Sequence, residues 1–449
     1  MSKYDTYKET DVIWFKELPA HWKRKRVKDV TQTLAGGTPD TSKEEYWEGS
    51  IPWLPSGKVQ NSIINEEDAD TFITEEGLKN SATKMLPAPA TLIALTGATC
   101  SNIGYLTFDA CANQSVVGMP GSSKILPKFL FYTLQSQKEQ ILLHQTGGAQ
   151  GGISESDVKF LFIPVPIESE QLTIANYLDE QTQKIDRLIA NKKAQAEKLK
   201  ELRQIEINNA VTKGLNPNAE MKDSGIEWLG KIPKHWELKK IKQLLKPEKN
   251  AIKTGPFGSD LKFEDLIEEG IKVYNQRSVL DNDWKSGEGY ISAEKYESLK
   301  TCTIFPDDIV ITTRGTIGKV SIFPADAELG ILHPCLMRIQ MNSQRILNDY
   351  LKIIINDSSF FFEALKLASN ATTIDVIYSD SLKEVKIPDP PTNEQVEITT
   401  YLQKKVSAID QLIKNIEAQI EKLQELRKIK IYEAVTGKIK VNAYAETTA

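Results

Sequence analysis

The sequence predicts an α+β protein with a pseudo-twofold internal repeat, in which two similar globular bodies are joined by two long antiparallel coiled-coil helices. A duplicated block is the first reason. Ile163-Pro164-Val165-Pro166, then Glu170-Gln171, then an unbroken run to Val211-Thr212 returns 224 positions later as Ile387-Pro388-Asp389-Pro390, Glu394-Gln395 and a run to Val435-Thr436. A duplicated lead-in is the second: Trp14, Pro19, His21 and Trp22 reappear 214 positions later as Trp228, Pro233, His235 and Trp236. Between these blocks lie strand-like segments punctuated by glycine and proline, which supply the β part. A repeat of about 220 residues is far longer than a solenoid period.

Each long run reads as one helix. No proline or glycine interrupts residues 168–213 or 392–436, and Leu, Ile, Glu, Gln, Lys and Ala dominate, mostly strong helix formers. Identical pairs include Glu170/Glu394, Gln171/Gln395, Tyr177/Tyr401, Asp186/Asp410 and Arg203/Arg427. In the second run Ile409, Ile416 and Leu423 recur every seven residues, with Leu412 or Ile413, then Ile420, then Leu426 at the other seam position. In the first run Ile185 and Leu199 hold the seam, Lys192 interrupts it, and Leu188, Ala196 and Leu202 lie beside it. This is a coiled-coil pattern of roughly three heptads. From 181 to 211 such a rod is about 45 Å long at ~1.5 Å per residue. Matching apolar stripes are best buried against each other. The residues expected to form the coiled coil or bind partners are therefore Ile185, Leu188, Leu199, Leu202, Ile409, Leu412, Ile416, Leu423 and Leu426.

The first body, about 27–162, contains Ile51–Leu54, Thr91–Leu95, Ile103–Phe108 and Ser115–Met119 as strands and one helix over Pro127–Gln140. The second, about 241–385, repeats the plan: Thr91–Ala94 matches Ile309–Thr312, Ile103–Tyr105 matches Ile317–Lys319, Leu126–Leu134 matches Leu347–Ile355, and Ser156–Lys159 matches Asp380–Lys383. The loops do not match. Gly36-Gly37-Thr38-Pro39 stands against Thr254-Gly255-Pro256-Phe257-Gly258-Ser259, Asn113-Gln114-Ser115 against His333-Pro334-Cys335, and Gly147–Gln150 against Asn370–Thr373. A shared scaffold with different loops suits two reading heads with different targets. The expected boundaries are 1–167, 168–213, 214–391 and 392–449. The lead-in tryptophans read as a packing clasp, since large aromatics chiefly bury area.

At 449 residues, 40% hydrophobic and 26% charged, the chain has the composition of a globular protein with ample core. The polar start and the lack of a long apolar run predict a cytoplasmic protein without a membrane span. Cys100, Cys111, Cys302 and Cys335 form no CxxC pair and are expected as reduced thiols, and the four histidines make no metal spacing. The net charge of −5 means that any nucleic-acid contact must use local positive charge or a partner's. Such charge clusters at Lys23, Arg24, Lys25, Arg26 and Lys28, and again at Lys239, Lys240 and Lys242.

Catalytic patterns are weak. Asp389-Pro390-Pro391-Thr392 resembles the Asp-Pro-Pro-Tyr motif of amino-methyltransferases, but Thr392 replaces the aromatic, so it reads as a proline hinge before a helix. Arg314-Gly315-Thr316-Ile317-Gly318-Lys319 spaces its glycines too closely for a phosphate loop and reads as strand–turn–strand with two basic side chains at its mouth. No catalytic and no metal residue is assigned.

The ordered pair of lead-in, globular body, Pro block, Glu-Gln and rod, with the Gly36–Pro39 and Gly255–Ser259 loops, resembles the specificity subunit of type I restriction–modification enzymes over nearly the whole chain. Phe15-Lys16 stands where the second lead-in has Leu229-Gly230. The resemblance implies two target-recognition domains, each reading one half of a bipartite sequence in double-stranded DNA, with helices that set the spacer and dock two modification subunits. It implies no catalysis and no cofactor in this chain: S-adenosylmethionine, ATP and Mg belong to modification and, where present, restriction subunits. The loop positions expected to meet DNA are Gly36, Gly37, Thr38, Lys58, Lys84, Asn113, Gln114 and Gln150 in the first body, and Lys253, Phe257, Ser259, Arg277, Arg314 and Lys319 in the second. Two other classes account for part of the pattern. A DNA-independent coiled-coil scaffold explains the rods but not the duplicated loops, and a DNA enzyme with an unrecognised site explains the bodies but lacks a visible site.

Overall fold

The computed structural model describes residues 2–145, 151–227, 229–369 and 373–442. Trp228 of the second lead-in, Gln150 with the rest of residues 146–150, residues 370–372 and residues 443–449 lie outside the described residues. Four helices organise the molecule: α1 (Pro127–Ser136), α2 (Glu168–Lys213), α3 (Asn348–Asp357) and α4 (Thr392–Val435). The two proline-free runs are thus the continuous helices α2 and α4. The helix expected over Pro127–Gln140 is broken at Gln137, after which a second short helix spans Lys138–Leu142.

The chain divides into two units, one formed by Met1–Lys193 with Ala418–Ala449, the other by Ala194–Glu417. Each long helix therefore contributes one half to each unit. In unit 1 the first turns of α2 (Ile174, Tyr177, Leu178) share a core with the last turns of α4 (Ile431, Ala434, Val435). Further along, Arg427 Nε lies 3.0 Å from Asp186. In unit 2 the last turns of α2 (Ile207, Ala210, Val211) share a core with the start of α4 (Ile398, Leu402), and Arg203 Nε lies 2.9 Å from Asp410. Within each unit the two helices consequently run antiparallel.

The buried seam steps by four and three, as two-helix packing requires. Ile185, Ala196, Ile409 and Ile413 are buried, and Ile189, Leu199, Ile416, Ile420 and Leu423 are half-buried. Leu188, Leu202, Leu412 and Leu426 are instead 49%, 39%, 51% and 40% exposed. The seam step left open between Leu412 and Ile413 falls to Ile413, and the seam expected at Leu426 is corrected. Ile413 and Arg427 occupy those steps, one residue or ~100° further round the helix, as Ile189 and Arg203 do beside Leu188 and Leu202.

The bodies share a sheet plan. Unit 1 has a five-stranded sheet in the order Leu34–Ala35, Val116–Pro120, Ala90–Ala94, Ile103–Leu106, Ile63–Ile64. Unit 2 has Ile252–Thr254, Leu336–Ile339, Ile309–Thr312, Val320–Ile322 in the same relative order. Ile103 pairs with Ile93 and Val320 with Ile311, so Ile103–Tyr105 corresponds to Val320–Ile322, not to Ile317–Lys319. Ile317 and Gly318 belong to the preceding turn, where Gly315 and Gly318 adopt positive φ. Helices α1 and α3 lie against these sheets. Thr91 Oγ1 donates to Pro127 O at 2.6 Å, and Asn356 of α3 exchanges hydrogen bonds with Val320 at 2.8 and 2.9 Å.

The proline block is a strand as well as a hinge. Phe162–Val165 pairs antiparallel with Lys23–Arg26, and Lys386–Asp389 with Glu237–Lys240. The paired lead-in and Glu-Gln residues then close a clasp in each unit. Trp22 and Trp236 are fully buried. His21 Nε2 lies 3.0 Å from Glu170, while His235 Nε2 and Trp236 Nε1 meet Glu394 at 2.7 and 2.9 Å. Gln171, 1% exposed, donates to Lys124 O and Pro166 O and accepts from Leu126 N–H. Gln395, fully buried, does the same with Arg345 O, Pro390 O and Leu347 N–H. Unit 1 is closed by the two ends of the chain: Tyr432 OH donates to Trp14 O, and Tyr7 OH to Gly437 O, each at 2.9 Å.

Candidate nucleic-acid interface

In unit 1 the structure brings the Gly36–Thr38 and Asn113–Ser115 loops together. Gly36 N–H donates to Val116 O at 2.9 Å and Gly37 N–H to Ala112 O at 2.8 Å. Both glycines serve close backbone approach. A Cβ on Gly36 would stand 2.2 Å from Asn113 O, and one on Gly37 2.4 Å from Thr83 N. Gly37 is also held by Trp53 Nε1, which donates to its carbonyl at 2.9 Å. The groups left to present are side chains: Thr38 Oγ1 donates to Gln114, whose side chain is exposed, and Thr96 Oγ1 donates to Ser115 at 2.8 Å. Lys84, next to the Gly37 contact at Thr83, is exposed. Asn113 turns inward to accept Ser115 N–H at 3.1 Å, so it shapes the loop. Lys58 is tied to Asp70 at 2.6 Å.

In unit 2 four loops converge. Gly255 N–H donates to Leu336 O at 2.8 Å, and a Cβ on Gly255 would lie 2.2 Å from His333 O, so this loop repeats the Gly36 contact. His333 N–H donates to Tyr274 O at 2.9 Å, next to the turn that begins the Gln276–Leu280 helix. Gln276 Nε2 donates to Thr316 O at 2.9 Å, which ties that turn to the Arg314–Lys319 turn. The convergence leaves Phe257 79% exposed, Arg314 exposed, and Arg277 exposed with Asp281 4.0 Å away. Ser259 is exposed and Lys253 half-buried in its strand. Lys319 departs from the group, with Nζ 3.4 Å from Asn356 O at the end of α3.

The two surfaces differ in chemistry. Unit 1 presents neutral donors and acceptors beside Lys84. Unit 2 presents two guanidinium groups and an aromatic face around His333-Pro334-Cys335. Burial holds the His333 imidazole below its ordinary pKa, so it stands neutral with Nδ1 3.0 Å from Cys335 Sγ, and burial raises the Cys335 thiol. Arginine forks suit bidentate acceptors such as guanine O6/N7 or phosphate. Sequence reading missed Trp53, Gln276 and His333 as loop-positioning residues; each acts across more than ten positions of chain, and no local pattern marks such contacts.

The basic clusters after the lead-ins are not loops. Lys23–Arg26 and Glu237–Lys240 are the strands that pair with the proline blocks. In unit 2 these lysines are neutralised: Lys239 by Asp389 at 2.9 Å, and Lys240 and Lys242 by Glu384. Hydrogen bonds from Lys240 and Lys242 pull the Glu384 carboxyl down to about 2.

Comparison with known proteins agrees with this duplicated plan. The family model for the type I restriction modification DNA specificity domain matches twice, over residues 19–198 and 233–422. The type I restriction enzyme MjaVIII specificity subunit of Methanocaldococcus jannaschii is 26% identical over 458 residues, which cover 97% of either chain. The MjaIX specificity subunit of the same organism is 27% identical over 316 residues, 63% of this chain and 69% of that one. A chain solved in work on complex assembly and conformational transition of the type I R-M system superposes with a TM-score of 0.71 at 15% identity, covering 94% of this chain and 99% of the other. The HsdS subunit from Thermoanaerobacter tengcongensis gives 0.53 at 15% identity, with 94% and 98% covered. Those two likenesses speak to the fold, whereas the family model covers most of the sequence in both repeats: the chain belongs to the type I restriction modification DNA specificity family.

Proposed function

We propose that this chain is the DNA-recognition subunit of a type I restriction–modification complex, and that it carries no catalysis of its own. Each body reads one half of a bipartite duplex target through its loop cluster. The first uses Thr38, Lys84, Gln114 and the Gln150 loop, and the second uses Phe257, Ser259, Arg277 and Arg314. Gly36, Gly37 and Asn113 shape the first cluster and Gly255 the second. The long helices set the spacer, and their exposed Leu188, Leu202, Leu412 and Leu426 dock two modification subunits. S-adenosylmethionine, and ATP with Mg where restriction subunits join, act on those partners. Among the described residues no helix is long and apolar enough to cross a membrane.

One observation carries the reading: the glutamine clasp and the order of the four shared strands recur in both units while the loop chemistry on them differs. A scaffold for proteins alone gives no reason for that division. The test is fluorescence anisotropy of a target duplex with the chain alone and with its modification subunit, together with a methylation assay of the chain alone. The reading expects weak binding alone, specific and steeply salt-dependent binding in the complex, and no methyl transfer by the chain. Methyl transfer by the purified chain, or a complex indifferent to DNA sequence, overturns it.

A further inference from the structure

The same structural position carries opposite chemistry in the two units. Arg26 pairs with Phe162 in the strand ladder of unit 1 as Lys240 pairs with Lys386 in unit 2, so Phe160 and Glu384 are equivalent. In unit 2 Glu384 receives Lys240 and Lys242. In unit 1 Phe160 receives Arg26, its guanidinium carbon 5.2 Å from the ring centre, and Lys28, its Nζ at 3.9 Å. Phe162 adds a second ring under Arg24 and Arg26, at 4.6 and 5.1 Å. Val165 likewise stands where Asp389 neutralises Lys239, leaving Lys25 with no acid opposite. Among the described residues Arg26, Lys25 and Lys28 make no ion pair within 4.0 Å, while Arg24 is paired with Asp11.

A carboxylate consumes both the charge and the donors of a basic side chain. An aromatic face orients the cation but leaves its charge and in-plane N–H groups available. Unit 1 therefore keeps a pre-oriented, un-neutralised basic strip in a chain whose net charge is −5. A chain of side-chain contacts leads from beside the strip to the reading loops. Lys159, adjacent to Phe160, holds Glu155 at 3.0 Å. Glu155 in turn accepts from Thr33, just before the Gly36 loop, and is near enough to Lys84 to feel its charge.

We infer that Arg26 and Lys28, presented on Phe160 and Phe162, together with the neighbouring Lys25, bind the phosphate backbone of duplex DNA beside the bases read by unit 1, and that in unit 2 Glu384 and Asp389 take the place of this contact. The two halves then grip their half-sites unequally. This rests on the DNA-recognition reading and adds a non-specific contact to it.

The test is the salt dependence of duplex binding by the full chain, measured by anisotropy from 20 to 200 mM KCl with a mixed-sequence 40-base-pair duplex. Arg26→Gln/Lys28→Gln should flatten the log Kd against log[salt] slope by about 1.8, the value for two phosphates at ~0.9 each. Phe160→Glu, which installs the residue that the second repeat already accommodates, should flatten it in the same sense with all basic residues still present. Glu384→Phe should steepen it. A steep slope in the unsubstituted chain that is unchanged in both Phe160→Glu and the double variant overturns the strip. So does an unchanged slope accompanied by loss of modification-subunit binding, which would assign the strip to an acidic protein surface. If the unsubstituted chain does not bind at 20 mM, the same slopes are measured on its complex with the modification subunit, where slopes unchanged in both variants overturn the strip and binding indifferent to DNA sequence removes the DNA-recognition reading itself.

Discussion

Gln171 accepts the backbone N–H of Leu126 at 2.8 Å. This one contact ties the glutamine of the Glu-Gln pair, in the first turn of α2, to the residue just before α1, and Gln395 repeats it on Leu347, just before α3. A duplicated glutamine thus fixes a body helix to a long helix in each unit. Removing it strands a buried donor and two carbonyls. Gln171→Ala and Gln395→Ala should each lower stability by about 2–3 kcal/mol, measured as a shift in the urea midpoint at unchanged slope. A loss below ~0.5 kcal/mol would mean that water replaces the clasp.

Exposed and buried positions on the rods should separate. Ile185 and Ile409 are 5% and 4% exposed, so Ile→Ala at either should cost about 2–4 kcal/mol. Leu188→Asp and Leu412→Asp should change stability by no more than ~0.5 kcal/mol, yet reduce co-purification with modification subunits. Intact assembly with both leucines replaced would move the docking surface elsewhere.

Gly255 tests whether the converging loops act as one reading surface. An added Cβ 2.2 Å from His333 O forces one of the two loops to move. Gly255→Ala should cost about 1–3 kcal/mol and relax selectivity at one half-site. The other half-site should keep its sequence in a methylated-site survey.

The spacer should follow the helices. Four residues inserted after Ala190, with four after Lys414, lengthen each helix by ~6 Å and turn it only about 40°. At 3.4 Å per base pair the unread spacer should grow by one to two pairs. Some stability should be lost to the four-residue stutter. Methylated sites with the old spacer at full activity would show that the helices do not measure it.

Much of this architecture was legible because it rests on periodicity and repetition. The bounds Glu168–Lys213 and Thr392–Val435 follow from proline-free runs, and the strand order repeats because the strands repeat. The seam was less legible. A seven-residue count cannot distinguish Leu412 from Ile413, and the antiparallel partner, with Arg203 and Arg427 reaching Asp410 and Asp186, selects the latter step. The basic clusters looked alike in sequence, and their difference lies in Phe160 and Glu384, more than 130 residues away along the chain. The glycine loops stand out in the sequence, but the packing role of Gly36 and Gly255 needs the partner loop's coordinates to see.

The central claim is that each body reads its own half of the target. Replacing residues 27–162 with the matching body of a relative, in a host carrying the full complex, and sequencing the methylated bases tests it most directly. The account predicts that one half-site changes while the other half-site and the spacer stay as they were. A change in both half-sites, or in neither, would contradict it.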